Sequence, residues 1–298
     1  MFYFGPERIS ERYEPDDERK MESWCSELTF KTVLDRISET VAEVNSSIRF
    51  DICLSSPNSL NLLQGNLVFI KDMGLCLMPP YRKPATIAPS LRFRGMSHEE
   101  QYHSGCKSNG DIQKTLPHCA TSVTEPLNPT VIPRNILQSF HFTFLIRHPR
   151  LSIPSLYVCS TPPMSSTTGL YGFKSEDTGY DELRRLFDYL RHVNQIGPAV
   201  AGQEEEGVEG GQEGKTNSNQ VKIVVIDAED LVNDPENIVK LYCKYVGLPF
   251  DLSMLKWDTA EERQRAEEVF GKWPGFHDVA MNSTSIKREE QVCWYYIS

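Results

Sequence analysis

Phe140-His141-Phe142-Thr143-Phe144-Leu145-Ile146-Arg147-His148-Pro149-Arg150-Leu151-Ser152-Ile153-Pro154-Ser155 is the stretch on which the fold turns. Up to Ile146 it is mostly apolar, as a parallel strand covered on both faces must be, and Arg147-His148-Pro149 marks where the strand ends. Ser152 reads as the N-cap of a following helix, with Pro154 in the first turn, where its missing N–H costs little. Ser155 then falls at the third helical position, close to unpaired amides. A guanidinium, a hydroxyl and a helix N-terminus converging on one strand end suit a phosphate. Arg147 and Ser155 are therefore the candidate anion-binding pair.

Two more short apolar runs end in polar residues in the same way. Leu67-Val68-Phe69-Ile70 runs into Lys71-Asp72, and Ile223-Val224-Val225-Ile226 runs into Asp227. Between the second and third runs, Asp181 to Val193 places Leu183, Leu186, Phe187, Leu190 and Val193 on one helical face. Thr178 and Asp181 stand there at capping-box spacing. After the third run, Asp234-Pro235 predicts a helix start and Gly247 its stop. Thr259 with Glu262 opens a last helix, which ends at Gly271. Strands alternating with helices predict an α/β fold: a central parallel sheet with helices on both faces and ligands beyond the carboxyl ends of the strands.

The chain reads as one domain of 298 residues with two interruptions. Residues 79–129 are rich in Pro, Ser, Gly and His and read as irregular. Residues 197–220 are rich in Gly, Glu, Gln, Ser and Asn and read as a disordered insert, too poor in apolar residues to offset its own ordering entropy. Ile48 to Leu54 alternates like a half-exposed edge strand.

Composition removes several function classes. The net charge of −10 argues against a general grip on nucleic acid or anionic lipid. Part of it is local, in Glu204, Glu205, Glu206, Glu209 and Glu213 against Lys215 alone. No stretch approaches a membrane span, and Met1-Phe2-Tyr3-Phe4 running into Pro6-Glu7-Arg8 does not read as a secretory signal. Eight scattered cysteines then predict reduced thiols and a cytoplasmic location. His103, Cys106, His118 and Cys119 are zinc-type ligands, but the adjacent pair fits a tetrahedral site poorly, so no metal is expected.

At this point the chain resembles a known family. The Arg147–Ser155 segment is similar to the 3′-phosphate site of sulfotransferases that use 3′-phosphoadenosine 5′-phosphosulfate, members of the P-loop NTPase superfamily. Val225-Ile226-Asp227-Ala228-Glu229-Asp230-Leu231, continuing through Asp234-Pro235 to Gly247, resembles the family's strand, Glu-Asp-Leu and helix. Phe69-Ile70-Lys71-Asp72-Met73 resembles a family strand that ends Lys-Thr-His. The wording of Phe142 to Pro149 and of Gly275-Phe276-His277-Asp278 is closest to fungal sulfotransferase-like proteins. The resemblance covers roughly residues 65–75 and 135–280. It implies a sulfotransferase-like α/β fold, the phosphosulfate nucleotide as cofactor without a metal, and a small-molecule hydroxyl or amine as acceptor.

The pattern is broken in two places. The family cradles the 5′-phosphosulfate with a Gly-rich loop after an N-terminal strand, and residues 1–66 hold no such loop. The expectation is an N-terminally incomplete domain. Gly210-Gly211-Gln212-Glu213-Gly214-Lys215-Thr216 does not replace it: the spacing puts Glu209 where glycine is required, and no strand precedes it. Met73 stands where the family's catalytic base is a histidine, and a thioether cannot take the acceptor's proton. The candidate catalytic groups are Lys71, which matches a family lysine near the transferred group, and His148, beside the phosphate site. His277-Asp278 reads as part of a packed turn. The alternative to a transferase is a non-catalytic nucleotide- or protein-binding remnant of the same fold.

Overall fold

The structure is a computed structural model that describes residues 28–47, 68–92, 123–203, 221–271 and 273–286. The alternating run at 48–54, the histidine and cysteine group at 103–119 and most of the acidic insert lie outside those residues. Along the chain come helices α1 (Phe30–Ser47) and α2 (Arg134–Leu137), strand β1 (Phe144–Ile146), and helices α3 (Pro149–Cys159), α4 (Met164–Thr168) and α5 (Tyr180–His192). Strand β2 (Val225–Asp227) and helices α6 (Ala228–Asn233), α7 (Pro235–Val246), α8 (Ala260–Phe270) and α9 (Asp278–Met281) follow. They fall into two compact units. One comprises the chain up to His141 together with Gly179–Ile196 and Lys215–Val221, and the other holds Phe142–Thr178, Gly197–Gly214 and the chain from Lys222 onward.

In the first unit the core is built from α5, the short helix α2 and segments outside α-helices and strands. Leu186, Tyr189 and Leu190 of α5 are buried, as are Met78, Ile87, Leu91, Ile136 and Leu137. Irregular backbone can be buried only if its polar groups are paired, and here they are. Val131 N donates to Leu77 O (2.9 Å), Ala88 N to Val131 O (2.9 Å) and Ile87 N to Val123 O (2.8 Å). Asn128 ties the same region together: its Oδ1 accepts from Thr130 N and Oγ1, and its Nδ2 donates to Ile132 O. Gln195 Nε2 donates to Leu137 O and Phe140 O, fastening the end of α5. Helix α1 is a further finding. Phe30, Val33, Leu34, Ile37 and Val41 recur at helical spacing, and Phe30 and Val33 are buried.

Two expectations about this unit are corrected. Val68–Ile70 forms no strand. Phe69 is 72% exposed and the segment leads into a 3₁₀ turn at Gly74–Leu77, so its apolar side chains have no sheet to cover them. Thr178 does not cap α5, because its Oγ1 donates to Ser175 O. Gly179 takes that place in the left-handed region (φ 71°), and a Cβ there would lie 2.8 Å from Leu75 Cδ2.

In the second unit β1 and β2 pair in parallel, with Phe144 opposite Val225, Leu145 opposite Ile226 and Ile146 opposite Asp227. Phe144 N donates to Val224 O at 2.9 Å. The strands are shorter than the apolar runs that predict them. Ile223 instead pairs in parallel with Val200, by Ile223 N to Ala199 O and Ala201 N to Ile223 O. Among the described residues the sheet therefore has two strands. Leu145 (51%), Ile146 (39%) and Val225 (43%) are exposed on it. The two later helices end where the sequence places their ends. Gly247 closes α7 in the left-handed region, and Thr259 with Glu262 makes a reciprocal capping box on α8.

Candidate functional site

The register of the pair brings two strand ends side by side. Where β1 ends at Ile146, β2 ends at Asp227. Arg147 and His148 lead from β1 into α3, and Asp227 leads from β2 into α6, capping it by accepting from Glu229 N at 2.8 Å. The Glu229-Asp230-Leu231 segment forms the first turns of α6. Arg147 and Arg150 thus stand at a strand end whose neighbour carries Asp227, Glu229 and Asp230. Any anion bound there is selected against acidic surroundings and needs directed donors.

The start of α3 is four residues earlier than the serine at 152 implies. His148 is the N-cap: its Nδ1 accepts from Arg150 N at 3.1 Å, and Pro149 takes the first helical position. Proline is suited to that position because its missing N–H would be unpaired there. Ser152 lies inside the helix and its Oγ donates to His148 O at 3.4 Å. Pro154 is accordingly an interior proline, so the carbonyl of Arg150 has no amide four residues on to accept from. The amides of the first turn are all engaged. Pro149 has none, Arg150 N is held by the imidazole, and Leu151 N and Ser152 N both donate to His148 O. The expectation of free amides beside Ser155 is therefore corrected. Ser155 sits about 9 Å along the axis from Pro149, at 1.5 Å per residue, and is exposed, as is Arg147.

The same hydrogen bond bears on His148 as a base. With Nδ1 accepting from an amide, the neutral ring carries its proton on Nε2. The outward nitrogen is then a donor, with no lone pair for an acceptor's proton.

His277 and Asp278 make a packed turn. The His277 ring lies 4.8 Å from that of Phe270, and Asp278 Oδ1 accepts from Gly275 N at 2.9 Å. Gly275 has φ 81°, and a Cβ on it would meet Thr168 Cγ2 at 2.8 Å. The nearby Cys159 thiol is pushed up by burial, and further by Asp278, which disfavours a reactive thiolate.

Lys71, Asp72 and Met73 belong to the first unit, and all three are exposed. Asp72 Oδ1 accepts from Met73 N at 2.6 Å. Desolvation nevertheless raises its carboxyl to about 6, against the opposing pull of that amide. Because the residue also reaches solvent, the effect of this shift on stability is screened. Among the described residues no group of three or more His, Cys, Asp or Glu is placed to hold a metal, and no helix is long and apolar enough to cross a membrane.

No protein-family model and no solved structure matches the chain. Two curated proteins do. The chain is 25% identical over 202 residues to the sulfotransferase ppzF of Metarhizium majus, which covers 67% of this chain and 50% of that protein. It is 25% identical over 205 residues to the sulfotransferase ppzF of Metarhizium rileyi, covering 68% of this chain and 51% of that protein. The chain spans about half the length of the curated relatives it matches. Two-thirds of the chain thus carries a distant, sulfotransferase-like relationship to these fungal proteins.

Proposed function

We propose that the chain is a sulfotransferase-like protein that binds 3′-phosphoadenosine 5′-phosphosulfate and takes part in sulfuryl transfer to a small-molecule hydroxyl or amine. The observation that carries this reading is the strand end at Arg147. It leads directly into α3 with Ser155 and lies in register with the Asp227 end of β2, in a chain similar to two sulfotransferases. In that role the Arg147 guanidinium and the Ser155 hydroxyl hold the 3′-phosphate. Because the first-turn amides of α3 are engaged, these two side chains supply the directed donors.

Transfer breaks the bond between sulfur and the bridging phosphate oxygen and forms one from sulfur to the acceptor oxygen or nitrogen. The bridging electrons leave on 3′-phosphoadenosine 5′-phosphate, and the acceptor loses its proton. Lys71, in the first unit, is a catalytic candidate by resemblance to a family lysine alone. Met73 cannot take the proton, and neutral His148 in its capping tautomer does not offer the lone pair. The base is therefore outside the groups named so far, or is solvent.

Two measurements test the reading. Calorimetry with 3′-phosphoadenosine 5′-phosphate should show binding that Arg147→Ala weakens. No binding, or equal binding by the variant, removes the site. Turnover of labelled sulfuryl donor across a panel of hydroxyl and amine acceptors separates a transferase from a binding remnant, and nucleotide binding without any turnover favours the remnant.

A further inference from the structure

We propose that Met254 is a site of reversible oxidative modification, at which the buried thiol of Cys243 directs peroxide to one lone pair of the thioether sulfur. The product is a single sulfoxide epimer. The inference is independent of the nucleotide reading and concerns the second unit alone.

Cys243 lies in the last turn of α7 and is 2% exposed. Met254 lies in the 3₁₀ turn Leu252–Leu255, which packs on that helix, and is 44% exposed. The two sulfurs are 3.8 Å apart. A thioether has no proton to give, so the thiol is the donor, and one of the two lone pairs on Met254 Sδ receives its S–H. Backbone bonds hold both partners in place. Cys243 O accepts from Gly247 N and from Leu248 N (2.8 Å) where α7 closes. Met254 N donates to Asp251 O at 3.0 Å, and Asp251 Oδ1 accepts from Ser253 N at 2.7 Å.

The two sulfurs divide the chemistry between them. Burial pushes the Cys243 thiol up, so it keeps the proton that makes it a donor. With neither thiolate character nor access, it is a poor target for oxidation itself. Met254 reaches water, and its second lone pair is the nucleophile that meets hydrogen peroxide. That pair forms a bond to one peroxide oxygen and the O–O bond breaks. The departing hydroxide takes the proton from the transferred oxygen and leaves as water. Peroxide is reduced to water and the thioether is oxidised to the sulfoxide.

A sulfoxide sulfur is a stereocentre. Oxygen added to the water-facing lone pair gives one epimer and leaves the other pair on the Cys243 S–H. The new polar oxygen then points away from the core, so the fold tolerates it. Methionine sulfoxide reductases are specific for one epimer each, so one of the two classes reverses the mark.

The test treats the folded full chain with limiting hydrogen peroxide, digests it, and follows the Met254 peptide by mass spectrometry before and after each reductase. Met254 should gain one oxygen while Cys243 gains none. One reductase should clear the oxidised peptide about two- to fivefold more completely than the other, the bias expected of a weak hydrogen bond on the competing lone pair. The same peptide from chain oxidised in denaturant, where both lone pairs are open, should show no bias. Cys243→Ala should lose the bias, and Cys243→Ser, which keeps a donor of similar size, should retain it. No oxygen on Met254, oxygen on Cys243 in its place, equal clearance by the two reductases, or an undiminished bias in Cys243→Ala overturns the proposal. If the alanine variant does not fold, folded against denatured wild type decides the matter.

Discussion

Arginine at position 147 matters for its fork. Two parallel N–H donors match two phosphate oxygens, which a lysine ammonium cannot do. Arg147→Ala should weaken nucleotide binding by at least about tenfold and Arg147→Lys by less, since a charged hydrogen bond contributes about 1.5–3 kcal/mol. Ser155→Ala removes a neutral donor and should cost a few-fold at most. Isothermal titration of the three variants orders them. Asp72 makes a different residue-scale prediction. Its folded value of about 6 lies above the unfolded 3.8, so the folded chain keeps a proton that the unfolded chain releases between those values. Any stability it contributes is full below about pH 3.8 and is lost as pH rises through about 6. Carboxyl carbon NMR should show one aspartate titrating near the higher value, and Asp72→Asn should abolish that signal.

The elements show which local signals are decisive. Helix α8 was legible because Thr259 and Glu262 satisfy two orphan amides reciprocally, a bond pattern written wholly in local sequence. Thr259→Ala should accordingly destabilise by about 0.5–2 kcal/mol, read from a chemical melt. Helix α7 was legible for the same kind of reason, with proline at its start and glycine at its end. The start of α3 was not. Serine is a common cap and histidine is not, yet Pro149 fixes the first helical position and leaves His148 to cap it. At α5 the threonine hydroxyl turned to a nearer carbonyl, and the cap passed to a glycine. Gly179→Ala should destabilise by about 1–2 kcal/mol from its left-handed backbone alone, even if Leu75 rotates away. For the candidate site, the order of strand, arginine and helix was readable, whereas the engagement of the first-turn amides was not. That engagement depends on a side chain bending back onto its own backbone.

Across the molecule, much of the first unit's core was hidden from periodicity. Met78, Ile87 and Ile132 are buried on irregular backbone, where no pattern of three or four residues marks the inward side. Their role becomes visible only once the long-range amide pairing of Val131, Ala88 and Ile87 is known. Conversely, Phe69 and Ile70 satisfy every local criterion for a strand and stand in solvent. Leu190 of α5 is 0% exposed, so Leu190→Ala should cost about 2–5 kcal/mol and lower the melting temperature by several degrees or more. The pair β1 and β2 has the opposite character. Leu145 and Ile146 point to opposite faces of β1, and both reach water. Backbone there is shielded by little apolar surface, so its opening is local and frequent. Deuterium should enter the amides of Phe144 and Ile146 long before those of Leu186 and Leu190. Arg147 would then hang from readily breathing backbone, and a bound anion should show itself as slowed isotope uptake at that strand.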